Sequence, residues 1–454
     1  MKRVLVITYY WPPSGGSGVQ RWVKFAKYLP SEGWQPVIYT PENPELIAVD
    51  KTLGSEIPPE AEIVRTKIVE PYNAYRMLMG KDSSIDIKTF TQDAASGGET
   101  GASGGEVNPI NAQKKSFKQK ISLFIRGNFF IPDPRVMWVG PSVRFLKKYL
   151  REHPVDAIVT TGPPQSMHLI GLKLSEATGI PWVADFRDPW TKMFYFKHLG
   201  LCSWAEKKHH ELERRVLDGA TRVVAVSPLV KEDFEKMTGT PVELITNGFD
   251  ESDFSEEIVP DGFFNITHTG LFAADGNPET LWKVLADKCA EDSSFRDALR
   301  LRLVGKTDSA ITESIRQAGL GDNLVDLGYR DHRTAVREQK NASLLILPLR
   351  KEPEYRAVLP GKLFEYLASR RPILGIGQTD GAMARIIGNT GSGVVYDWDQ
   401  ESKIRACIDF CWDEFRQGEL DDNSSDISEY TRRGLTHRYA SLLDEITTEK
   451  NNHK

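Results

Sequence analysis

Cysteine is scarce in this chain. The four that occur, Cys202, Cys289, Cys407 and Cys411, include no CxxC spacing, which argues against a zinc site or a disulfide framework and suits a reducing cytoplasm. Long apolar runs are missing too: no stretch reaches the roughly 18 residues needed to span a membrane. The apolar run at residues 1–10 is too short for a signal peptide and leads into Trp-Pro-Pro and glycines, not a small-residue cleavage site. Charge of one sign is not in large excess, since the formal net charge is -5 with 27% charged residues; a bulk pull toward nucleic acid is excluded. What remains is a soluble globular composition, 40% hydrophobic. At 454 residues the chain exceeds the size at which one core keeps growing, so two domains of roughly 150 to 250 residues are expected.

Alternation is what the chain does have. Residues 3–9 read as a short buried strand, WPPSGGSG as a loop, and residues 19–29 as a helix with Val19, Trp22, Val23, Phe25, Ala26 and Leu29 on its apolar side. Strands are predicted at 36–39, 157–161, 182–185, 221–226 and 242–245, with a helix at 167–177. A second set begins near Phe264, with strands at 265–269, 300–304, 325–327 and 344–347 and a helix at 280–288. Such alternation predicts an α/β protein made of two Rossmann-like, doubly wound parallel-sheet domains. Turn residues in NGFDESDF and VPDG set the boundary: a first domain at 1–258, completed by a tail helix at 427–454, and a second at 259–426.

Two stretches interrupt this pattern. Gly, Ser, Asp and Thr dominate residues 81–115, which are expected to form a mobile insertion. Residues 114–150 then mix Lys114, Lys115, Lys118, Lys120 and Arg126 with Phe117, Ile121, Phe124, Phe129 and Ile131. Two readings fit: a face on an anionic membrane surface, or a helix packed on its own domain with a solvated basic edge.

The segment LPGKLFEYLASRRPILGI at 359–376 carries the strongest chemical signal. Pro360 and Gly361 precede an apolar-periodic run, so a helix begins there with free N–H groups and Lys362 in its first turn. Glu365 lies one turn on, placed to accept hydrogen bonds from sugar hydroxyls. A diphosphate with an attached ribose suits this arrangement; an ordinary amphipathic helix with a surface Lys and Glu fits the segment alone as well. Gly15, Gly16 and Gly18 allow close approach of the backbone to a phosphate or sugar, but Arg21 stands where a dinucleotide fingerprint has its third glycine. Asp185, Arg187 and Asp188 follow a strand, either as an anion clamp beside a proton acceptor or as an internal salt bridge. Thr161 ends another strand, and His168 lies one turn into the next helix, within reach of an acceptor hydroxyl or simply packed. Adjacent His209 and His210 face different directions and make no metal pair. Asp397-Trp398-Asp399 imitates a cation-binding DxD, but Asp399 reads as the N-cap of a helix at 403–415, so no metal is assigned.

Together, GGSGVQR after the first strand, VVAVSPLVKEDF, the ITNGFD turn, the THTG and LVGK strand ends and PGKLFEYLASRRPIL resemble the GT-B glycosyltransferases. Within them, the resemblance is to the large retaining family 4 group that assembles bacterial polysaccharides and glycolipids, and it covers nearly the whole chain apart from the insertion. It implies two Rossmann-like domains facing a central cleft, with the C-terminal helix crossing back to the first. The implied co-substrate, a nucleotide-diphosphate sugar, is held mainly by the second domain and a glycan or lipid-linked acceptor by the first; no cofactor or metal is implied. On this resemblance Glu365 binds the donor ribose, and Lys306 and Lys362, with Arg350, neutralise the diphosphate at the helix start marked by Gly361. Gly328, Tyr329 and Arg330 lie beside the base, and Gly15 and Gly16 beside the phosphates and the transferred sugar. Arg187, Asp188 and Glu365 are the catalytic candidates, with Thr161, His168 and Asp185 on the acceptor side.

Three departures qualify the carry-over. The first of two family glutamates falls on Ala357, which passes donor-sugar contacts to Glu352, Glu354 or backbone groups. THTGLFAADGNP lacks the usual Arg and Lys, and Arg187-Asp188 stands where a His-Asp pair is common. Rival expectations are a non-hydrolysing nucleotide-sugar epimerase, which shares the architecture, and a non-catalytic nucleotide-sugar-binding scaffold. The expected location is the cytoplasm, with possible peripheral contact at the inner membrane surface and no nucleic-acid partner.

Overall fold

The computed structural model describes residues 1–45, 49–50, 52–69, 124, 127–194, 196–418 and 426–452. The insertion expected at 81–115 and the leading part of the basic stretch, 114–123, lie outside the described residues. Two compact units emerge: one holds the chain up to Thr246 and again from Arg433, the other holds Asn247–Arg432.

In the first unit the order is β1 (Lys2–Ile7), α1 (Ser17–Tyr28), β2 (Trp34–Pro41), β3 (Glu62–Thr66), α2 (Val136–Glu152), β4 (Ala157–Gly162), α3 (Ser166–Thr178), β5 (Trp182–Phe186), α4 (Ser203–Gly219), β6 (Arg222–Ala225), α5 (Pro228–Met237) and β7 (Val242–Leu244). These strands form one parallel sheet in the order β3-β2-β1-β4-β5-β6-β7. Continuous apolar runs such as Val4–Ile7 suit strands covered on both faces. The strand order reverses between β1 and β4, the place where open parallel sheets leave a ligand crevice at their carboxyl ends.

The second unit repeats the design with β8 (Phe264–Thr269), α6 (Glu279–Glu291), α7 (Ser293–Ala298), β9 (Leu299–Val304), α8 (Ser309–Gln317), β10 (Leu324–Gly328), α9 (His332–Lys340), β11 (Leu344–Pro348), α10 (Gly361–Ser369), β12 (Ile373–Ile376), α11 (Ala382–Asn389), β13 (Gly393–Tyr396) and α12 (Glu401–Gln417). Its sheet, β10-β9-β8-β11-β12-β13, is also parallel, and its switch point lies between β8 and β11. Two doubly wound parallel sheets are thus present, as the alternation predicts.

The last helix, α13 (Arg432–Asn452), packs into the first unit's core. Tyr439 meets Trp22 and Phe25 edge-on or tilted, with ring centroids 5.3 and 5.1 Å away, and Leu435, Leu443 and Ile446 are buried beside it. The helix starts later than residue 427. Ser428–Tyr430 is a single 3-10 turn, and Thr431 is extended because it bridges Phe249, with Arg432 N donating to Phe249 O at 2.7 Å. That bridge ties Phe249 to the second unit, and Lys340 Nζ, donating to Phe254 O at 2.9 Å, ties Phe254 to it as well, so the division falls before residue 258. Asp399 is not a helix N-cap either: Gln400 holds that position of α12, and Asp399 contributes only its carbonyl, to Glu401 N.

Candidate functional site

In the first unit, four segments meet at the carboxyl ends of β1, β4 and β5. The most deeply set group is Asp185, at the end of β5 opposite Thr161 of β4. Arg21 of α1 grips it, Nη2 to Oδ1 at 2.8 Å and Nε to Oδ2 at 3.3 Å, and Trp22 Nε1 donates to Oδ2 at 2.8 Å. The same guanidinium donates to Thr246 O and Ile245 O at 2.7 and 2.9 Å. Burial alone pushes the Asp185 carboxyl up, but the Arg21 charge and the hydrogen bonds outweigh it and hold the pKa below the ordinary value. Both Asp185 oxygens are already taken by Arg21 and Trp22 of α1, so the structure gives Asp185 a role in holding α1 to β5 and not the acceptor contact expected from the sequence.

Two residues further on the chain reaches the surface of this core. Arg187 N donates to Gly162 O at 2.9 Å and its Nη2 to Pro163 O. The guanidinium lies against Gly18, where a Cβ would come within 1.7 Å of Nη1, so its present position depends on the glycine. Gly16 caps α1 at φ 106, and Gly15 beside it is half-buried. Burial raises the Asp188 pKa to about 6, with the Arg187 charge opposing, which poises a carboxylate for proton transfer near neutral pH. The next residues are pinned to α4: Trp190 Nε1 donates to His209 Nδ1 at 3.1 Å, and Thr191 donates to Glu213 through N at 3.2 Å and Oγ1 at 2.5 Å. His209 and Glu213, four residues apart on one helix face, hold the loop that carries Asp188.

His168 is enclosed. Its Nδ1 lies 2.8 Å from Thr160 Oγ1, which also accepts from Trp182 Nε1 at 2.9 Å, and its ring stacks on Phe186 at 4.3 Å. Burial lowers its pKa to about 3, so the imidazole is neutral.

In the second unit, β8, β9 and β10 each end on a glycine of positive φ: Gly270, Gly305 and Gly328. At Gly305 the need is steric as well, because a Cβ would lie 2.2 Å from Gly270 O. The turn Gly270–Phe272 then pairs back along the β9 exit, Phe272 N donating to Lys306 O at 2.9 Å. Lys362, in the first turn of α10, reaches the same turn: Nζ donates to Leu271 O at 3.2 Å and lies 3.1 Å from His268 Nε2. Burial holds the His268 pKa well below its ordinary value, with the Lys362 charge adding to the effect, so a neutral imidazole accepts from the ammonium. Lys362 thus carries its ammonium from the first turn of α10 to the glycine turn that pairs with the Lys306 backbone at the β8/β11 switch point, and a cation beside a helix N-terminus attracts anions.

Glu365 accepts from Gln339 Nε2 at 2.9 Å, and the same amide donates to Thr269 Oγ1 at 3.0 Å. Tyr329 and Arg330 are exposed just past Gly328. Arg350 is drawn aside, its Nε 3.1 Å from Asp275 Oδ1, and Glu352 keeps Oε2 buried without a hydrogen-bond partner. Arg21, His268, Gln339 and Gln165 were missed as site residues. For His268 a signal existed in its position within the THTG strand end; for the others nothing local distinguishes them. Among the described residues no group of three or more His, Cys, Asp or Glu side chains is disposed to hold a metal ion.

The fold that carries these sites is GT-B. Residues 111–253 match the model of Glycosyltransferase Family 4, in agreement with the motif resemblance over that segment. No curated protein matches the chain by sequence. Among solved structures, sucrose-phosphate synthase of Thermosynechococcus elongatus superposes with a TM-score of 0.57 at 13% identity, covering 100% of this chain and 98% of that one. HepE of Anabaena, in complex with UDP-glucose, gives 0.51 at 14%, covering 100% and 99%. A protein of Listeria monocytogenes, provisionally described as a UDP-N-acetylglucosamine 2-epimerase, gives 0.54 at 9%, covering 98% and 97%. At these identities the likeness is one of fold. No helix among the described residues is long and apolar enough to cross a membrane.

Proposed function

We propose that the chain is a glycosyltransferase that moves a sugar from a nucleotide-diphosphate donor to a glycan or lipid-linked acceptor, with retention of configuration. The observation that carries this reading is the Lys362 ammonium, in the first turn of α10, held at the Gly270–Phe272 turn that pairs with the Lys306 backbone. Such a set stabilises the charge that develops on a leaving diphosphate, so the protein's own cations supply what a metal ion would otherwise provide. Glu365, fixed by Gln339, is placed to accept from ribose hydroxyls. In the first unit Asp188 takes the proton from the acceptor hydroxyl, and Arg187 holds the reacting groups beside the glycine loop. The bond from the anomeric carbon to the diphosphate oxygen breaks with its electron pair leaving on the diphosphate, and a bond to the acceptor oxygen forms in its place.

A membrane-proximal acceptor, as in bacterial cell-surface polysaccharide or glycolipid synthesis at the cytoplasmic face, is supported by α2. Met137, Arg144, Phe145, Lys148 and Arg151 recur at helical spacing along it and are exposed. Basic and apolar side chains on one face suit an anionic lipid surface.

Incubating the full chain with a panel of nucleotide sugars and following nucleoside diphosphate release tests the reading, with NMR of the product reporting the anomeric configuration and chelator addition reporting metal dependence. Transfer, or slow hydrolysis, releases diphosphate stoichiometrically. An epimerase releases it only by leakage, and a scaffold releases none; either result would overturn the proposal.

A further inference from the structure

Gln165 belongs to no motif, yet both polar atoms of its amide are buried without a hydrogen-bond partner, and the residue is 6% exposed. His168 Nε2 and Arg187 Nε are in the same condition. Buried polar atoms are paired in the great majority of cases, so four unpaired atoms on three neighbouring side chains need a reason. Two of them share one place: a Cβ built on Gly162 would sit 2.5 Å from His168 Nε2 and 2.8 Å from Gln165 Oε1, and the backbone of Arg187 joins them through its N–H on the Gly162 carbonyl.

The hydrogen-bond roles follow from their neighbours. Thr160 Oγ1 accepts from Trp182 Nε1, and donating its own hydrogen to His168 Nδ1 is the arrangement that pairs this hydroxyl fully. On that ground the His168 proton is assigned to Nε2, which offers a donor there. Gln165 offers one acceptor and two donors, and Arg187 Nε a further donor. A mixed set of neutral amide, neutral imidazole and one guanidinium edge matches groups that both give and accept hydrogen bonds. The two hydroxyls on neighbouring carbons of a sugar ring are such groups.

We infer that Gln165 and His168, backed by Arg187 Nε, form a subsite for adjacent hydroxyls of a neutral sugar ring. The inference deepens the transferase reading and rests on it for the ring's role as acceptor. Gln165 is then a residue that selects the acceptor sugar, because an unmatched hydroxyl leaves a buried amide unpaired. Asp185, enclosed beneath by Arg21, takes no part in it.

The test uses the full chain labelled with 15N-histidine and titrated with methyl glycosides of glucose, galactose, mannose and N-acetylglucosamine. The His168 Nε2–H signal, identified by its loss in His168→Phe, moves saturably with at least one of them. Gln165→Leu weakens that binding by about tenfold, as expected for one lost hydrogen bond. Gln165→Glu keeps the size, removes the amide's donors and provides the same readout should the leucine variant fold poorly. Three results overturn the inference: no glycoside moves the signal, the Gln165 variants bind as the parent does, or inorganic phosphate produces the same shift and marks an anion site. Diphosphate release measured on the same preparation separates the two claims. Release without a glycoside response removes the subsite and leaves the transferase, whereas a response without release does the opposite.

Discussion

Arg21 and Asp185 form a fully enclosed ion pair, Nη2 to Oδ1 at 2.8 Å, that ties the first helix of the chain to the end of β5. Removing one partner of such a pair leaves an uncompensated buried charge. Asp185→Ala is therefore expected to lower unfolding stability by about 3 to 5 kcal/mol, measured by urea denaturation. The pH dependence has a definite sign: because the folded pKa is depressed, the contribution of Asp185 is present above the unfolded carboxylate value and is lost as pH falls through the folded one. An alanine variant as stable as the parent at neutral pH would contradict this.

Gly18 and Arg187 leave room for one another only because Gly18 has no side chain. Gly18→Ala displaces the guanidinium, and diphosphate release is expected to fall by roughly ten- to a hundred-fold, as for a misplaced positioning group. Circular dichroism should stay that of the parent. Parent-like turnover would show that Arg187 need not sit where it does.

Asp188 loses its proton at about pH 6. If it accepts the acceptor's proton, the rate rises with pH through that value and levels off above it. Asp188→Asn should cut the rate by roughly 10²- to 10⁴-fold without that acid limb. A rate that falls as pH rises through 6 would assign the group the opposite role.

Lys362 and the glycine turn act on charge. Lys362→Ala should weaken binding of UDP, GDP or ADP, whichever the parent prefers, by roughly ten- to a hundred-fold in calorimetry, the loss expected for a charge-assisted contact. Unchanged affinity would put the diphosphate elsewhere.

His168 and His209 are neutral in the fold, with pKa values lowered by burial to about 3 and about 4. Between those values and the unfolded pKa near 6.5 the unfolded chain binds protons that the folded one does not, so stability falls as pH is lowered from there. Each histidine contributes a slope of about 1.4 kcal/mol per pH unit over its window. Denaturation midpoints recorded from pH 7 to 4.5 should show this, and His209→Gln should remove part of it.

Much of the frame was legible in advance. The apolar runs at β1, β4 and β5 and their counterparts at β8, β9 and β11 announce buried parallel strands, and Pro360 with Gly361 announces the start of α10. The edge strands β3 and β13 were not: Glu62–Thr66 has Glu62 and Arg65 among its five residues, and Gly393–Tyr396 opens on a glycine and is only partly buried, so neither shows the continuous apolar run of a central strand. Lys362, Glu365 and Asp188 were legible because each stands beside a turn or helix start whose chemistry is local.

Sequence alone determined two α/β halves, the place of the anion-attracting helix start and the glycine loop, because these depend on residues close together in the chain. Tertiary structure decided which charged groups remain at the surface of that design. Asp185 and Arg187 are two positions apart, yet one is sealed under a guanidinium from α1 and the other lies against Gly18. Gln165 and His268 acquired their candidate roles in the same way, from neighbours that only the packing of strand ends brings within a hydrogen bond. Such partners are set by the sheet order, and no spacing in the chain records them.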